Sequence, residues 1–310
     1  MIKLNGCEIE FMLASGSCGF DGQGYWWKFW EKILVGLGLI DLSLFTTVLK
    51  SISVKSHRGN RPLYRVVKFI SENGQVVSSL RALIQPKSIA GAINAIGLDN
   101  PGFDYWLNKI YPKILRNNLK VVFSAVMIGQ GKEDEFLEMI SRLNELENIV
   151  AVEFNPSCSN ISPHLLSDPE KVVALTSSIF QISKHPLILK LGYSQDYCGI
   201  AKRTEKFIKA ISINSVPWLM VFPVKISPLA RYGGGGVSGK RAQFYTWQMI
   251  KDLKVATSCP IIAPSVWDYE DVEKVYELGA SAISFGSVGL LYSWRPTQFV
   301  KQWMKKKGGK

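Results

Sequence analysis

The sequence predicts an α/β fold: a (β/α)8 TIM barrel with a long insertion between strands 2 and 3. Three observations predict it. Eight short apolar runs recur along the 310 residues, and most are continuous, as in strands covered on both faces. Amphipathic helical patterns separate most of them, and such alternation requires parallel strands joined by crossovers. Eight such units suit a closed barrel.

The runs lie near Phe11–Ala14, Leu44–Leu49, Val121–Ala125, Val150–Phe154, Leu187–Leu191, Trp218–Phe222, Pro260–Ala263 and Ala282–Phe285. Between them, Glu133–Leu146 places Phe136, Leu137, Ile140 and Leu143 on one helical face. Pro169–Ile182 starts behind Asp168, a good N-cap, with proline at the first helical position. Asp268–Leu278 stops at Gly279. The interval between Lys50 and Val121, about seventy residues, is too long for a simple crossover. It includes a helical pattern near Phe103–Leu115 and reads as an excursion over one mouth of the barrel. No composition shift marks a second domain, so residues 1–310 read as one domain. Within it, 53–118 form the insertion region, and 301–310 a basic tail.

Composition is that of a globular protein, 47% hydrophobic and 20% charged, which excludes a disordered or low-complexity chain. The five cysteines (Cys7, Cys18, Cys158, Cys198, Cys259) are scattered without CxxC spacing. That argues against a zinc site or a disulfide framework and fits a reducing cytoplasm. No apolar run reaches the ~18 residues of a membrane span, and the N-terminus has no signal-peptide pattern, so no membrane partner is expected. Lys and Arg number 37 against 25 Asp and Glu, a net +12. Apart from the tail lysines the basic residues are spread out, which reads as a solvated surface rather than a nucleic-acid footprint.

Chemistry in such a barrel belongs at the C-terminal strand ends. Those positions read Ala14-Ser15-Gly16, Lys50-Ser51, Ser124, Asn155-Pro156-Ser157-Cys158-Ser159-Asn160, Lys190, Gly235-Gly236-Val237-Ser238-Gly239, and Gly286-Ser287. Lysine at the end of an apolar strand is costly to bury alone. Lys50 and Lys190 therefore point either to an anionic ligand or to a carboxylate partner for each. The glycine-rich turns allow close approach of backbone amides to a phosphate.

These residues resemble the dihydroorotate dehydrogenase family, FMN-dependent barrels, over about residues 1–300. Ala14-Ser15-Gly16 resembles the family's flavin-edge Ala-Ser-Gly. Lys50-Ser51 with Arg58-Gly59-Asn60 is similar to its Lys-Ser/Thr strand end and Gly-Asn-Pro loop. Asn94-Ala95-Ile96-Gly97-Leu98-Asp99-Asn100-Pro101-Gly102 resembles the substrate loop Asn-x-x-Gly-Leu-x-Asn-x-Gly. Asn155-Pro156-Ser157-Cys158-Ser159-Asn160 is similar to Asn-Leu-Ser-Cys-Pro-Asn, and Gly235-Gly236-Val237-Ser238-Gly239 to the glycine motif.

The resemblance implies oxidation of dihydroorotate to orotate in pyrimidine biosynthesis, with hydride passing to FMN and a proton to Cys158. Lys50 would neutralise the substrate carboxylate or the reduced flavin. Asn94, Asn155 and Asn160 would read the pyrimidine edge, and the backbone of Ile96, Gly97 and Leu98 would help hold the carboxylate. Flavin contacts would come from Ala14, Ser15, Gly16, Lys50, Ser51, Ser124, Asn155, Lys190, Gly235, Gly236, Ser265, Gly286 and Ser287. The cysteine base is that of the soluble class, which divides between fumarate users and those with a separate iron–sulfur/FAD electron-transfer subunit. A homodimer is also implied.

Three positions depart from the family pattern. The family carries Asn-Ser or Asn-Thr after strand six, where this reading finds Met220-Val221-Phe222-Pro223. Ala263-Pro264-Ser265-Val266 stands where the family has a Gly-Gly phosphate loop, and Ser159 replaces a proline. A missing strand-six amide leaves a second reading open, an FMN oxidoreductase of the same fold acting on another cyclic amide or enoate. A third rests on the charge alone: an RNA-binding flavin barrel resembling the tRNA dihydrouridine synthases, whose Met-Ala-Pro-Met start this chain lacks.

Overall fold

The computed structural model describes residues 1–24, 30–78, 85–157 and 168–308. A hairpin opens the chain, β1 (Ile2–Leu4) against β2 (Cys7–Ile9), turned by Asn5-Gly6, both at positive φ. The barrel strands follow as β3 (Phe11–Leu13), β4 (Thr46–Val48), β8 (Val121–Ala125), β9 (Ile149–Phe154), β10 (Leu187–Leu191), β11 (Ala210–Ile213), β14 (Ile261–Ala263) and β15 (Ala282–Phe285). They pair in that order, all parallel, and β15 closes on β3 through Ile283↔Phe11. Crossover helices include α1 (Trp30–Gly36), α2 (Glu133–Leu143), α3 (Pro169–Ile182), α4 (Tyr197–Thr204), α5 (Gln243–Ala256) and α6 (Glu270–Glu277), and the basic α7 (Arg295–Gly308) comes last. Asp168 caps α3 by accepting from the Glu170 amide at 3.0 Å.

The barrel is filled in two layers of different character. Side chains two apart on a strand share a face. The lower inward layer is apolar: Met12, Val48, Val122, Ala151, Ile188, Ala210, Ile262 and Ala282 pack with Ile2, Leu4 and Ile9 of the hairpin, which plugs the N-terminal end. Two residues further along the same strands stand Ala14, Lys50, Ser124, Glu153, Lys190, Ser212, Pro264 and Ser284. Strand periodicity thus delivers a predominantly polar layer to the C-terminal mouth.

A second sheet lies beside that mouth. Its order is β12 (Val216–Pro217), β13 (Gly236–Gly239), β7 (Gly91–Asn94), β5 (Val67–Ile70) and β6 (Val76–Val77), all antiparallel. Strands β5, β6 and β7 come from the excursion between β4 and β8, whereas β12 and β13 come from the segment after β11. Its own apolar cluster includes Ile70, Ile93, Trp218, Phe222 and Val237. The sheet sets Asn94 opposite Gly236 and Val67.

The sixth barrel strand is not Trp218–Phe222. Residues Trp218–Val221 form a helical turn behind Pro217, and Trp218 packs on Phe222 with centroids 4.4 Å apart, in the core of the second sheet. The strand is Ala210–Ile213, paired with β10 through Ile188↔Ala210 and with β14 through Ile211↔Ile261. Ser212 interrupts this short segment, so the denser apolar run downstream gave the stronger sequence signal. Because the strand ends at Ile213, it is followed by Asn214-Ser215. The strand-six amide, expected to be absent, is present.

Candidate active site

The polar layer is organised around Glu153, buried on β9. Its Oε1 accepts from Ser124 Oγ at 3.0 Å, and its Oε2 accepts from Ser212 Oγ at 2.9 Å. Lys190 Nζ on β10 lies 3.3 Å from Oε1, with the two side chains only 12% and 4% exposed. A buried carboxylate keeps its charge only when paired and hydrogen-bonded, and here three neighbouring strands supply the partners. The chain of hydroxyls continues upward: Ser124 Oγ to Ser51 Oγ at 2.9 Å, and Ser51 Oγ to Ser15 Oγ at 3.4 Å. Asn155 Nδ2 reaches Ser51 Oγ at 3.5 Å.

Lys50 differs from Lys190. Among the described residues it contacts no carboxylate; its Nζ donates to the Asp99 carbonyl at 2.7 Å and stands 4.8 Å from the centroid of the Phe20 ring. The Asp99 carboxylate is engaged by Arg61, whose Nε and Nη2 donate to Oδ1 at 2.9 and 2.7 Å. Burial pushes the Lys50 ammonium down to about 8, with Asp99 raising it and Arg61 lowering it. Of the two alternatives for the strand-end lysines, the carboxylate partner holds for Lys190 and not for Lys50.

Lys50 faces a cavity wall that also carries Ser15, Gly16, Ser51, Asn94, Ile96, Leu98, Asn155, Lys190, Asn214 and Ser215. The loop bearing Ile96, Gly97 and Leu98 is held from behind by the 58–60 turn. Asn60 donates its backbone N–H to the Ile96 carbonyl and its side-chain amide to the Ala95 carbonyl, both at 2.8 Å. A Cβ at Gly59 would stand 2.3 Å from the Ile96 carbonyl oxygen, so only glycine fits. Asn214 is fixed by its Nδ2, which donates to Ser157 O and Ser157 Oγ at 3.1 Å each.

An adjoining cavity is rich in hydroxyls: Ser15, Ser17, Ser238, Ser265, Ser284 and Ser287 line it with Ala14, Asn94, Lys190 and Gly286. Ser265 sits at φ +66, the left-handed region that favours glycine. The loop after β14 thus keeps a glycine-like backbone at this position, while Pro264 removes one amide donor. Gly235 and Gly236 do not line this cavity. They abut β7, and a Cβ on Gly235 would meet the Asn94 carbonyl oxygen at 2.6 Å. These glycines let the second sheet close behind Asn94.

Sequence reasoning missed Glu153, Ser212, Asn214 and Ser215. A carboxylate inside the apolar run Val150–Phe154 was a readable signal for Glu153, and the strand misplacement hid the other three. Cys158, Ser159 and Asn160 lie outside the described residues. The arrangement can bind a ligand bearing amide groups and negative charge: carboxamides and hydroxyls offer matched donors and acceptors, and Lys50 supplies the cation.

The family model for dihydroorotate dehydrogenase matches residues 83–301. Among curated proteins, the catalytic subunit of dihydroorotate dehydrogenase B (NAD(+)) of Anoxybacillus flavithermus is 27% identical over 300 residues, covering 94% of this chain and 85% of the relative. The corresponding subunit of Carboxydothermus hydrogenoformans is 31% identical over 229 residues, covering 72% and 73%. Dihydroorotate dehydrogenase A (fumarate) of Lactiplantibacillus plantarum is 30% identical over 215 residues, covering 65% and 68%.

Proposed function

The chain belongs to the dihydroorotate dehydrogenase family, and from that membership we propose that it oxidises dihydroorotate to orotate in pyrimidine biosynthesis, with FMN as its cofactor. The observation that carries the reading is the convergence of Asn94, Asn155 and Asn214 with Lys50 on one cavity wall. A pyrimidinedione edge alternates N–H donors and C=O acceptors, and a carboxamide offers both complements. Lys50 stands opposite the substrate carboxylate, which the backbone of Ile96, Gly97 and Leu98 helps to hold. The family resemblance adds Asn160 to these amides.

The residues present fit a flavin. The hydroxyl-lined cavity with Ser265, Gly286 and Ser287 suits the phosphate and ribityl chain, and Ala14, Ser15, Gly16, Ser51, Ser124, Asn155 and Lys190 suit the ring system. Held by those residues, FMN would supply the hydride-accepting chemistry for one ring carbon of the substrate. The proton on the neighbouring carbon passes to the Cys158 thiolate, which becomes the thiol as the ring double bond forms. Lys190 would supply positive charge to the flavin ring, and Glu153 fixes its position and offsets part of that charge.

The substrate alternative, another cyclic amide or enoate, rested on the missing strand-six amide and loses its basis with Asn214. We read residues 1–310 as one FMN-binding barrel, with a cytoplasmic location, a homodimer and a separate iron–sulfur/FAD electron-transfer subunit. The relatives named as NAD(+)-type catalytic subunits support that last partner. The test is turnover of flavin-loaded protein with dihydroorotate and an artificial electron acceptor. Orotate should form in step with acceptor reduction; its absence overturns the assignment.

A further inference from the structure

The segment from Trp30 to Leu42 buries little of its apolar surface. Helix α1 contains no buried residue, and Ile33, Val35, Leu37, Leu39 and Leu42 are all exposed, Leu37 at 67%. The segment is nevertheless tied to the barrel. Ile40 is buried, the Asp41 amide donates to Thr297 Oγ1 at 3.0 Å, and Lys301 Nζ donates to the Gly38 carbonyl at 3.1 Å. These bonds set it against α7, where exposed Met304 joins Leu42 in one groove. That groove also includes Phe11, Thr46 and Val121, the first residues of three barrel strands. The apolar surface therefore lies towards the N-terminal end of the barrel, away from the mouth.

Exposed lysines accompany it. Among the described residues, Lys32, Lys301 and Lys305 have no ion-pair partner, whereas Lys306 and Lys307 are engaged by Glu273 and Glu10. We propose that Ile33–Leu42, with Met304, Lys32, Lys301 and Lys305, docks the protein peripherally on an anionic lipid surface. One side of α1 is half-buried through Trp30 and Leu34, while the exposed apolar residues run on from Ile33 through Leu42, a patch that lipid solvates without a shaped partner. The lysines complement anionic headgroups. A second copy meeting this face across a two-fold axis would bring like charges together. No described helix is long and apolar enough to cross a membrane, so the docking is superficial.

The experiment is flotation of the purified full-length chain with neutral phosphatidylcholine vesicles and with vesicles containing roughly a third phosphatidylglycerol. The wild type should float with the anionic vesicles and less with the neutral ones. The pair Leu37→Glu and Leu39→Glu should lower the bound fraction at least about tenfold with an unchanged melting temperature. The pair Lys32→Glu and Lys305→Glu should lower flotation on anionic vesicles only, and carries the test should the leucine pair not fold. Wild-type protein that stays unbound, or leucine and lysine pairs that float like wild type, would overturn the proposal. So would a dimer seen by light scattering that the leucine pair splits, since the face is then covered by a second copy.

Discussion

Lys190 and Glu153 meet at 3.3 Å inside the barrel, both withdrawn from water, with Ser124 and Ser212 completing the carboxylate's bonds. On the proposed reading the pair lies beneath the flavin, where the balance of its two charges would tune the flavin's reduction. Replacing Glu153 by Gln leaves Lys190 uncompensated and should raise the flavin midpoint potential. The rise should be about 30 mV for each tenfold gain in stability of the reduced form. Lys190→Met should move it the other way. Potentiometric titration of the two variants checks the signs, and an unmoved potential in both would remove the pair from the flavin's environment.

Lys50 predicts a pH dependence. An unfolded lysine keeps its proton to about 10.5, whereas burial makes the folded one release it near 8. Between those values the unfolded chain binds the extra proton, so this residue's contribution to stability rises with pH. Anion binding runs the opposite way, because it needs the ammonium. Orotate affinity, measured by flavin spectral perturbation, should fall as pH rises through about 8, approaching tenfold per pH unit. In Lys50→Met the affinity should be low and nearly flat over that range.

Asn214 supplies an amide at the end of β11. Asn214→Ala should lower kcat/KM for dihydroorotate by about 10- to 100-fold, the equivalent of ~1–3 kcal/mol for an unmet polar partner, while flavin content stays near wild type. Steady-state kinetics normalised to bound flavin measure this.

Gly235 packs at φ +82 with the Asn94 carbonyl where a Cβ would stand. Gly235→Ala should lower the melting temperature and weaken orotate binding together, because the strain falls on the strand that carries Asn94. A variant that loses stability but binds orotate normally would separate the glycine from the site.

Cys158→Ser should slow reduction of the bound flavin by dihydroorotate by roughly 100-fold or more, the usual worth of a positioned base, without loss of flavin. Stopped-flow measurement should also place the remaining activity at higher pH, since a hydroxyl is a much weaker acid than a thiol.

Much of this architecture is legible in the sequence because strand burial leaves continuous apolar runs and helix ends leave caps such as Asp168 and Gly279. The strand-end lysines are legible because ammonium groups rarely follow such runs. The sixth strand was not: Ala210–Ile213 is short and broken by Ser212, and a run serving the second sheet outcompeted it. Glu153 is legible as a lone carboxylate inside an apolar run, although its neighbours are so apolar that the run reads first as a strand. The pairing of β12 and β13 with β7 joins segments far apart in sequence, and no local pattern announces it.

The most direct test is anaerobic mixing of flavin-loaded protein with dihydroorotate while the flavin absorption band is followed. The band should bleach, with one orotate formed per flavin reduced. A band that stays oxidised would contradict the assignment.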